Sequence, residues 1–386
     1  MSIKIFYNSS APVDFKEDYI TVIIINDEQI KHSFNDQPSE RKGTMLSWHK
    51  EGKIHRDGDK PAYVNHENFG STILKIERSW YKDGRLHRDG DKPAKMDFRR
   101  ILITDTGAVR IHSIFEYRKK GHLNREGDLP AYIEKIKSYA PDKTIEKYSI
   151  AEDFYKHHRI HRDGDKPAIN LTLFVNTPSG LIKKTESKKH YKCGTLHRDN
   201  GKPAIVEITR SKMNGNISHL EKKYIIEGKL HRDGDKPAYI IYKGNSNGDV
   251  IVKQFIFYKN SILHRDGDKP AYVKDTYKNS ISIHVKDGKI TRKSAPAVLF
   301  TTKPHLSETQ EFSYSFFEND IENKNKALIK NFLVKEYMKF DSSYTEFNLN
   351  DFPVKQIESL LFAISGIYYN RDLPLEELAY IRRNFF

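Results

Sequence analysis

Apolar and polar side chains alternate along much of the chain between residues 41 and 300, which is typical of β-strands. In the segment TILKIERSWYK, Leu74 and Ile76 fall on one side of an extended chain, and Lys75, Glu77 and Ser79 fall on the other. This alternation predicts half-buried strands whose apolar side lies against a core.

The two flanking regions carry other patterns. Residues 1–40 contain IKIFY and YITVIIIN, apolar runs that predict an N-terminal β cap for the first repeat. From about residue 304 the apolar residues recur at helical spacing, so residues 301–386 are predicted to form a small C-terminal helical module, for packing or docking. Its apolar positions are Leu328, Phe332, Leu333 and Tyr337, then Ile357, Leu360, Leu361 and Ile364 after Pro353, then Leu375, Leu378 and Ile381 after Leu373-Pro374.

Between the flanks, in residues 41–300, one unit recurs in eight degenerate copies, and its best-preserved stretch reads HRDGDKPA. The spacing between copies varies while this stretch stays intact, which indicates a structural unit with loops between the copies. The arginine that marks each copy stands at Arg56, Arg88, Arg125, Arg162, Arg198, Arg232, Arg265 and Arg292.

Most copies place a glycine four residues before this arginine. In YKDGRLHR, the pair Asp83-Gly84 between β-forming flanks predicts a two-residue hairpin turn of type I′, because that turn needs positive φ at both central residues. The turn then pairs Lys82 with Arg85. His158 and Ser261 replace the glycine in two copies.

The same register puts Trp80 opposite His87 and Tyr81 opposite Leu86, and opposed residues of a hairpin share a side. One face is therefore predicted to carry an aromatic row beside a histidine row, and the other an aliphatic row. The aromatic row is Trp48, Trp80, Tyr117, Phe154, His190, Tyr224, Phe257 and His284. The histidine row is His55, His87, His161, His197, His231 and His264, with Asn124 and Thr291 in the third and eighth copies. The aliphatic row is Ile54, Leu86, Leu123, Ile160, Leu196, Leu230, Leu263 and Ile290.

The DGDKPA part of the unit predicts a corner. Proline fixes φ and lacks an amide donor, and glycine permits a left-handed backbone, so the second strand is expected to bend there. Each unit is thus predicted to be a long strand, a tight turn, a strand bent at the corner, and a looser turn. The units together form an antiparallel meander, extended or coiled like a solenoid, in a mainly β fold. The corner prolines are Pro61, Pro93, Pro130, Pro167, Pro203, Pro237 and Pro270.

The net charge of +14 is unevenly distributed, since residues 301–386 are slightly acidic and the repeat region holds the basic excess. Arg, Lys and two Asp of each full signature balance one another, so the excess comes from variable strands such as KMDFRR and IKKTESKKHYK. A basic surface favours nucleic acid, anionic lipid or an acidic partner, and it also serves to keep a large sheet soluble.

The single cysteine, Cys193, cannot form an internal disulfide, which favours a reducing compartment. No run of apolar residues reaches the length of a membrane span, and the N-terminal residues do not resemble a signal peptide. We therefore expect no transmembrane segment and no signal-peptide secretion.

Neither catalysis nor metal binding is expected, so no catalytic, cofactor or metal residue is assigned. His-Arg-Asp also occurs in the catalytic loop of protein kinases, but here it recurs in a ladder, with no phosphate loop or DFG motif. Calcium is disfavoured because a lysine adjoins the Asp-Gly-Asp of most copies, and zinc because no second histidine or cysteine stands at ligand spacing.

The unit YKDGRLHRDGDKPA resembles MORN-like β-hairpin repeats, and more closely the W/Y-x-x-G-x-x-H-R-x-x-G-x-P-A repeats of large DNA viruses and some bacteria. The resemblance covers roughly residues 45–300. It implies a non-enzymatic scaffold that contacts other structural proteins or copies of itself, in a virion or capsid-associated setting or in the host cytoplasm. A composition rich in Lys, Ile, Asn and Tyr suits an AT-rich genome such as that of a giant virus. The alternative is a basic binding module for nucleic acid or an anionic membrane.

Overall fold

The structure is a computed structural model, and it describes residues 2–7, 20–70, 72–176, 182–211, 214–245, 247–302, 310–340, 353–355, 358 and 367–370. The chain divides into two compact units. The first unit contains Met1–Thr195 and Ser211–Asn214, and the second contains Leu196–Arg210 and Gly215–Phe386. The predicted fold class is confirmed, since the structure is mainly β and is built from tandem antiparallel hairpins.

Long strands and two-residue strands alternate in the chain. Up to residue 192 the strands are β1 Ser2–Tyr7, β2 Ile20–Ile25, β3 Glu40–Lys42, β4 Met45–Ser47, β5 His49–Lys50, β6 Lys53–Ile54, β7 Tyr63–Phe69, β8 Ile73–Ser79, β9 Tyr81–Lys82, β10 Arg85–Leu86, β11 Lys95–Ile103, β12 Ala108–Glu116, β13 Arg118–Lys119, β14 His122–Leu123, β15 Tyr132–Tyr139, β16 Ile145–Asp153, β17 Tyr155–Lys156, β18 Arg159–Ile160, β19 Ile169–Asn176, β20 Ile182–Lys189 and β21 Tyr191–Lys192.

The remaining elements are β22 Thr195–Leu196, β23 Ile205–Ser211, β24 Ile217–Lys223, β25 Ile225–Ile226, β26 Lys229–Leu230, β27 Tyr239–Gly244, β28 Val250–Ile256, β29 Tyr258–Lys259, β30 Ile262–Leu263, β31 Tyr272–Thr276, β32 Asn279–Ile283, β33 Val285–Lys286, β34 Lys289–Ile290, β35 Val298–Thr302, β36 Gln310–Ser315, β37 Phe317–Glu318, β38 Ile321–Glu322, α1 Lys326–Phe340 and β39 Ile367–Asn370.

Within each unit the long strands pair edge to edge with their neighbours. In the first unit the antiparallel order is β1, β2, β3, β4, β7, β8, β11, β12, β15, β16, β19, β20. In the second it is β23, β24, β27, β28, β31, β32, β35, β36, and β39 adds to β36 in parallel. The two apolar runs of the N-terminal region form strands β1 and β2, which pair with each other.

The two-residue strands form separate short hairpins, which corrects the predicted unit. The long strand β8 ends at Ser79, before Trp80, and β9 and β10 pair only with each other. The corner after β10 is irregular backbone, and the next long strand, β11, begins after Ala94. The signature therefore separates a short hairpin from the sheet instead of bending one continuous strand. Ala94 is fully buried at this junction, and its carbonyl accepts the amide of Trp80 at 2.8 Å.

The sheet has two unequal faces, and the pattern of Leu74 and Ile76 did not identify the more buried one. Both of these side chains are half-buried, whereas Asn65, Ser79 and Asp97 on the opposite side are buried. We call the side that carries Asn65, Ser79 and Asp97 the hairpin face, and the other side the outer face. Cross-strand register assigns every paired residue to one of them.

The short hairpins explain the burial on the hairpin face. In the second unit the position equivalent to Ser79 holds Ile256 and Ile283, which form a core cluster with Leu263 and Ile290 of the short hairpins. Leu263 and Ile290 belong to the predicted aliphatic row. A hairpin thus covers the adjoining end of the strands, and this end is buried even where its residues are polar.

Strands continue further along the chain than the pattern predicted. β36 is a further long strand, β37 and β38 form a ninth short hairpin that lacks the signature, and the change to helix comes after Glu322, not near residue 304. The first predicted helix is α1. Phe332 and Leu333 are buried against Tyr314 on the outer face of β36, so α1 packs on the last strands. Most of the second predicted helix, all of the third and the Tyr337 side chain lie outside the described residues.

Candidate functional site

The hairpin turn has the predicted geometry. Asp83 and Gly84 have φ of 50° and 78°, and Lys82 pairs with Arg85 in the predicted register. The amide of Gly84 donates to the carbonyl of Ile54 in the preceding hairpin at 2.9 Å. The short hairpins are therefore linked from copy to copy by backbone hydrogen bonds.

The signature arginine lies over the aromatic residue of its own copy. The guanidinium carbon is 3.6 to 3.8 Å from the ring centroid, which is cation–π stacking distance. The pairs are Arg56–Trp48, Arg88–Trp80, Arg125–Tyr117, Arg162–Phe154, Arg232–Tyr224 and Arg265–Phe257. The sequence pattern did not predict this contact, although the arginine follows the aromatic residue by eight residues in each of these copies.

The same arginine binds the preceding copy. In Arg88, Nε and Nη2 donate to the two carboxylate oxygens of Asp59 at 2.6 and 3.2 Å, and Nη1 donates to the carbonyl of Pro93 at 3.1 Å. Lys92 adds a contact of 2.6 Å to Asp59. The hydrogen bonds from Arg88 and Lys92 hold the pKa of the Asp59 carboxyl well below its usual range.

This arrangement recurs along each unit. The Nε to Oδ1 distance is 2.5 to 2.7 Å in Arg56–Asp36, Arg88–Asp59, Arg125–Asp91, Arg162–Asp128, Arg265–Asp235 and Arg292–Asp268. Asp36 lies before the first copy and takes the place of a preceding corner. At the corner before Arg232, Gly201 stands where the other corners place this aspartate.

The signature histidines link adjacent copies by a second route. His87 Nδ1 accepts the amide of Lys120, the first turn residue of the next hairpin, at 3.1 Å. Its Nε2 lies 3.0 Å from Asp89, and because Nδ1 accepts, Nε2 carries the proton and donates. This bond holds the pKa of Asp89 below its usual value. Equivalent histidine-to-amide contacts are His55 to Asp83, His161 to Cys193, His197 to Glu227, His231 to Asn260 and His264 to Asp287.

Shallow grooves lie between consecutive corners. The groove between the first two copies has a volume of about 470 Å³ and is lined by His55, Arg56, Trp80, His87 and Arg88, among others. The guanidinium and imidazole groups of the two arginines and two histidines, and the ring of Trp80, are already engaged in the contacts given above. In the part of the chain that the structure describes, no group of three or more His, Cys, Asp or Glu side chains is arranged to hold a metal ion.

The two faces of the first unit differ in charge. On the hairpin face several cations pair with carboxylates, as in Lys75–Glu67 at 3.4 Å and Arg99–Asp97 at 2.8 Å. On the outer face of β7 to β20 the register places an excess of cations. Among its register-paired Lys, Arg, Asp and Glu residues, the cations are Arg78, Arg100, Lys135, Lys137, Lys184 and Lys188, and the carboxylates are Glu152 and Glu186.

Comparison with protein-family models and with curated proteins finds no match to this chain. The structure establishes a tandem β-hairpin repeat, and the resemblance to MORN-like repeats stays a proposal. Among the described helices, none combines the length and apolar character needed to cross a membrane.

Proposed function

We propose that this chain is a non-enzymatic scaffold whose sheet faces contact other structural proteins or copies of itself. The observation that carries this proposal is that the polar side chains of the HRDGDKPA signature contact other parts of the repeat array. Its arginine, histidine and acidic side chains are engaged in fixing each hairpin to its neighbours and to its own corner. Side chains whose polar groups are already bonded within the repeat array are poorly suited to act on a substrate.

The geometry also supports extension. Most copies contribute the same kinds of contact to the next, so neighbouring copies are joined by similar links, as in other repeat proteins. Variable residues occupy the long strands, where they are displayed on a regular frame. A regular frame with variable faces suits the binding of large partners better than the binding of small molecules.

A cross-linking experiment tests this function. The full chain, expressed with a tag in its natural setting and treated with a lysine-reactive cross-linker, should give reproducible stoichiometric links from long-strand lysines such as Lys135 and Lys137. The links should reach one structural partner or a second copy. A chain that stays monomeric and unlinked, or that shows a turnover abolished by one substitution, would contradict the proposal.

A virion or capsid-associated setting is the finer part of the proposal, and it is supported by the resemblance of the repeat to those of large DNA viruses. Co-sedimentation with purified particles through a salt wash is the expected result. Recovery of the chain only in the soluble host fraction would contradict the virion setting. The scaffold proposal would still be tested by the cross-linking experiment.

A further inference from the structure

One row across the outer face of the first unit combines rings and cations. Lys137 on β15 pairs with Tyr148 on β16, Tyr148 pairs with Phe174 on β19, and Phe174 pairs with Lys184 on β20. The four side chains therefore lie side by side across four neighbouring strands, with a lysine at each end and two aromatic rings between them.

The rings of this row are nearly parallel. Their planes differ by 13° and their centroids are 6.3 Å apart. The ammonium of Lys137 lies 5.7 Å from the Tyr148 centroid, and that of Lys184 lies 5.8 Å from the Phe174 centroid. Lys184 also pairs with Glu186 at 3.1 Å. A further cation, Lys135, lies 6.0 Å from the Phe115 ring on the same face.

Lys137 is solvent-exposed, and Tyr148 and Phe174 are half-buried. Within the described residues, Lys137 has no carboxylate at ion-pair distance, unlike Lys75 and Arg99 on the hairpin face. The charge of Lys137 is thus held over a ring and remains open to an anion in solution.

We propose that this row, Lys137, Tyr148, Phe174 and Lys184, is a binding site for single-stranded nucleic acid. Unpaired bases stack on aromatic rings displayed by a sheet, and lysines beside the rings attract the phosphates that link those bases. Adjacent rings on adjacent strands serve successive bases. Duplex nucleic acid is excluded from such contacts because its bases are already stacked.

The row is a poorer match for a lipid surface. Insertion into the acyl boundary requires apolar side chains that protrude, whereas Tyr148 and Phe174 lie half-buried among their neighbours. A base can stack on a ring that does not protrude. The half-burial of both rings therefore favours stacking over insertion.

Fluorescence anisotropy of a labelled oligo(dT) of roughly 15 nucleotides, with the full chain at low salt, tests the site. Tyr148→Leu and Phe174→Leu retain apolar volume and should each weaken binding on the order of 10-fold. Tyr148→Phe should bind as the parent does. The far-UV spectrum and melting temperature of each variant check that the fold is intact.

Charge variants on opposite faces of the sheet provide the matched control. Lys137→Gln should weaken binding and reduce the slope of log affinity against log salt by about 0.7, the value for one phosphate contact to a single strand. Lys147→Gln removes an exposed lysine from the hairpin face of β16 and should leave binding unchanged.

Three outcomes would overturn the site. The first is an equal loss of affinity from the two lysine variants, which would indicate diffuse attraction. The second is binding of duplex DNA or anionic vesicles as tightly as the oligonucleotide and with the same sensitivity to Tyr148→Leu. The third is the absence of oligonucleotide binding by the parent chain at low salt. None of these outcomes decides the scaffold proposal, which is judged by its cross-links.

Discussion

The guanidinium carbon of Arg88 lies 3.7 Å from the centroid of the Trp80 ring. In the same position Arg88 donates to Asp59 of the preceding copy and to the carbonyl of Pro93. A planar group with a fixed fork of donors can stack and bind a carboxylate at once, and lysine cannot. This side chain therefore couples one copy to the next while it covers the aromatic ring of its own copy.

Arg88→Lys should lower the free energy of unfolding by about 1–2 kcal/mol, because it removes the stacking and the bidentate geometry. Arg232→Lys is the matched variant. Arg232 stacks on Tyr224 at 3.6 Å, but Gly201 takes the place of the partner aspartate. Its loss should be smaller, and only the Arg88 variant should lose salt sensitivity, as measured by urea unfolding at low and high salt. Equal losses with equal salt dependence would show that the carboxylate contributes nothing.

The turn at His157-His158 tests the cost of a left-handed backbone. His158 has a φ of 66°, where most copies have glycine. His158→Gly should raise the free energy of unfolding by about 0.5–1 kcal/mol, since a side chain is unfavourable in this region. Gly84→Ala should lower it by about 1 kcal/mol for the same reason. A Cβ at Gly84 would meet Lys53 Cβ at 3.8 Å, an ordinary contact, so backbone strain alone is measured. Thermal melts should show a higher melting temperature for His158→Gly and a lower one for Gly84→Ala. Changes of the same sign in both variants would contradict this account.

The turns and the pairing of Lys82 with Arg85 were predictable because positive φ and two-residue hairpins depend on neighbours in sequence. The stacking of Arg88 on Trp80 and its link to Asp59 were harder to predict, because both depend on how the chain folds back between copies. The exact spacing of aromatic and arginine was visible, but spacing alone does not say that two side chains touch.

The buried side of the sheet was assigned incorrectly because the local pattern of Leu74 and Ile76 says nothing about what covers a strand. A short hairpin covers the end that carries Ser79, and the polar residue is buried as a result. The ninth hairpin escaped prediction since Phe317 and Ile321 lack the signature beside them. The outer-face row of Tyr148 and Phe174 required the cross-strand register, which no single strand contains.

His284 makes stability depend on pH. It occupies the aromatic position of the eighth copy, and burial, followed by the nearby charge of Arg292, lowers its pKa to about 4. The unfolded chain binds this proton near pH 6.5, so the contribution of His284 to stability is present above that pH and is lost as pH falls towards 4. His284→Phe should therefore stabilise the chain by about 1–2 kcal/mol more at pH 5 than at pH 7.5. Chemical unfolding at both values measures this difference, and a gain independent of pH would indicate packing instead of protonation.

Asp153 should show the opposite dependence. It ends β16 on the hairpin face, where burial and then the charge of Glu134 raise its pKa to about 6, against the weaker effect of Lys189. Because the folded chain holds this proton more tightly than the unfolded chain, the associated stability is full below about pH 4 and is lost as pH rises through 6. Above pH 6 the fold carries a poorly solvated carboxylate. Asp153→Asn should then raise the free energy of unfolding by about 1 kcal/mol at pH 7.5, a value reduced for partial exposure to solvent, and should have little effect at pH 4.

Unfolding curves of the Asp153→Asn variant and the parent at the two pH values test this prediction. A gain of the same size at both would mean that the amide stabilises by its hydrogen bonds, and a loss at pH 7.5 would mean that the carboxylate is favourable where it stands.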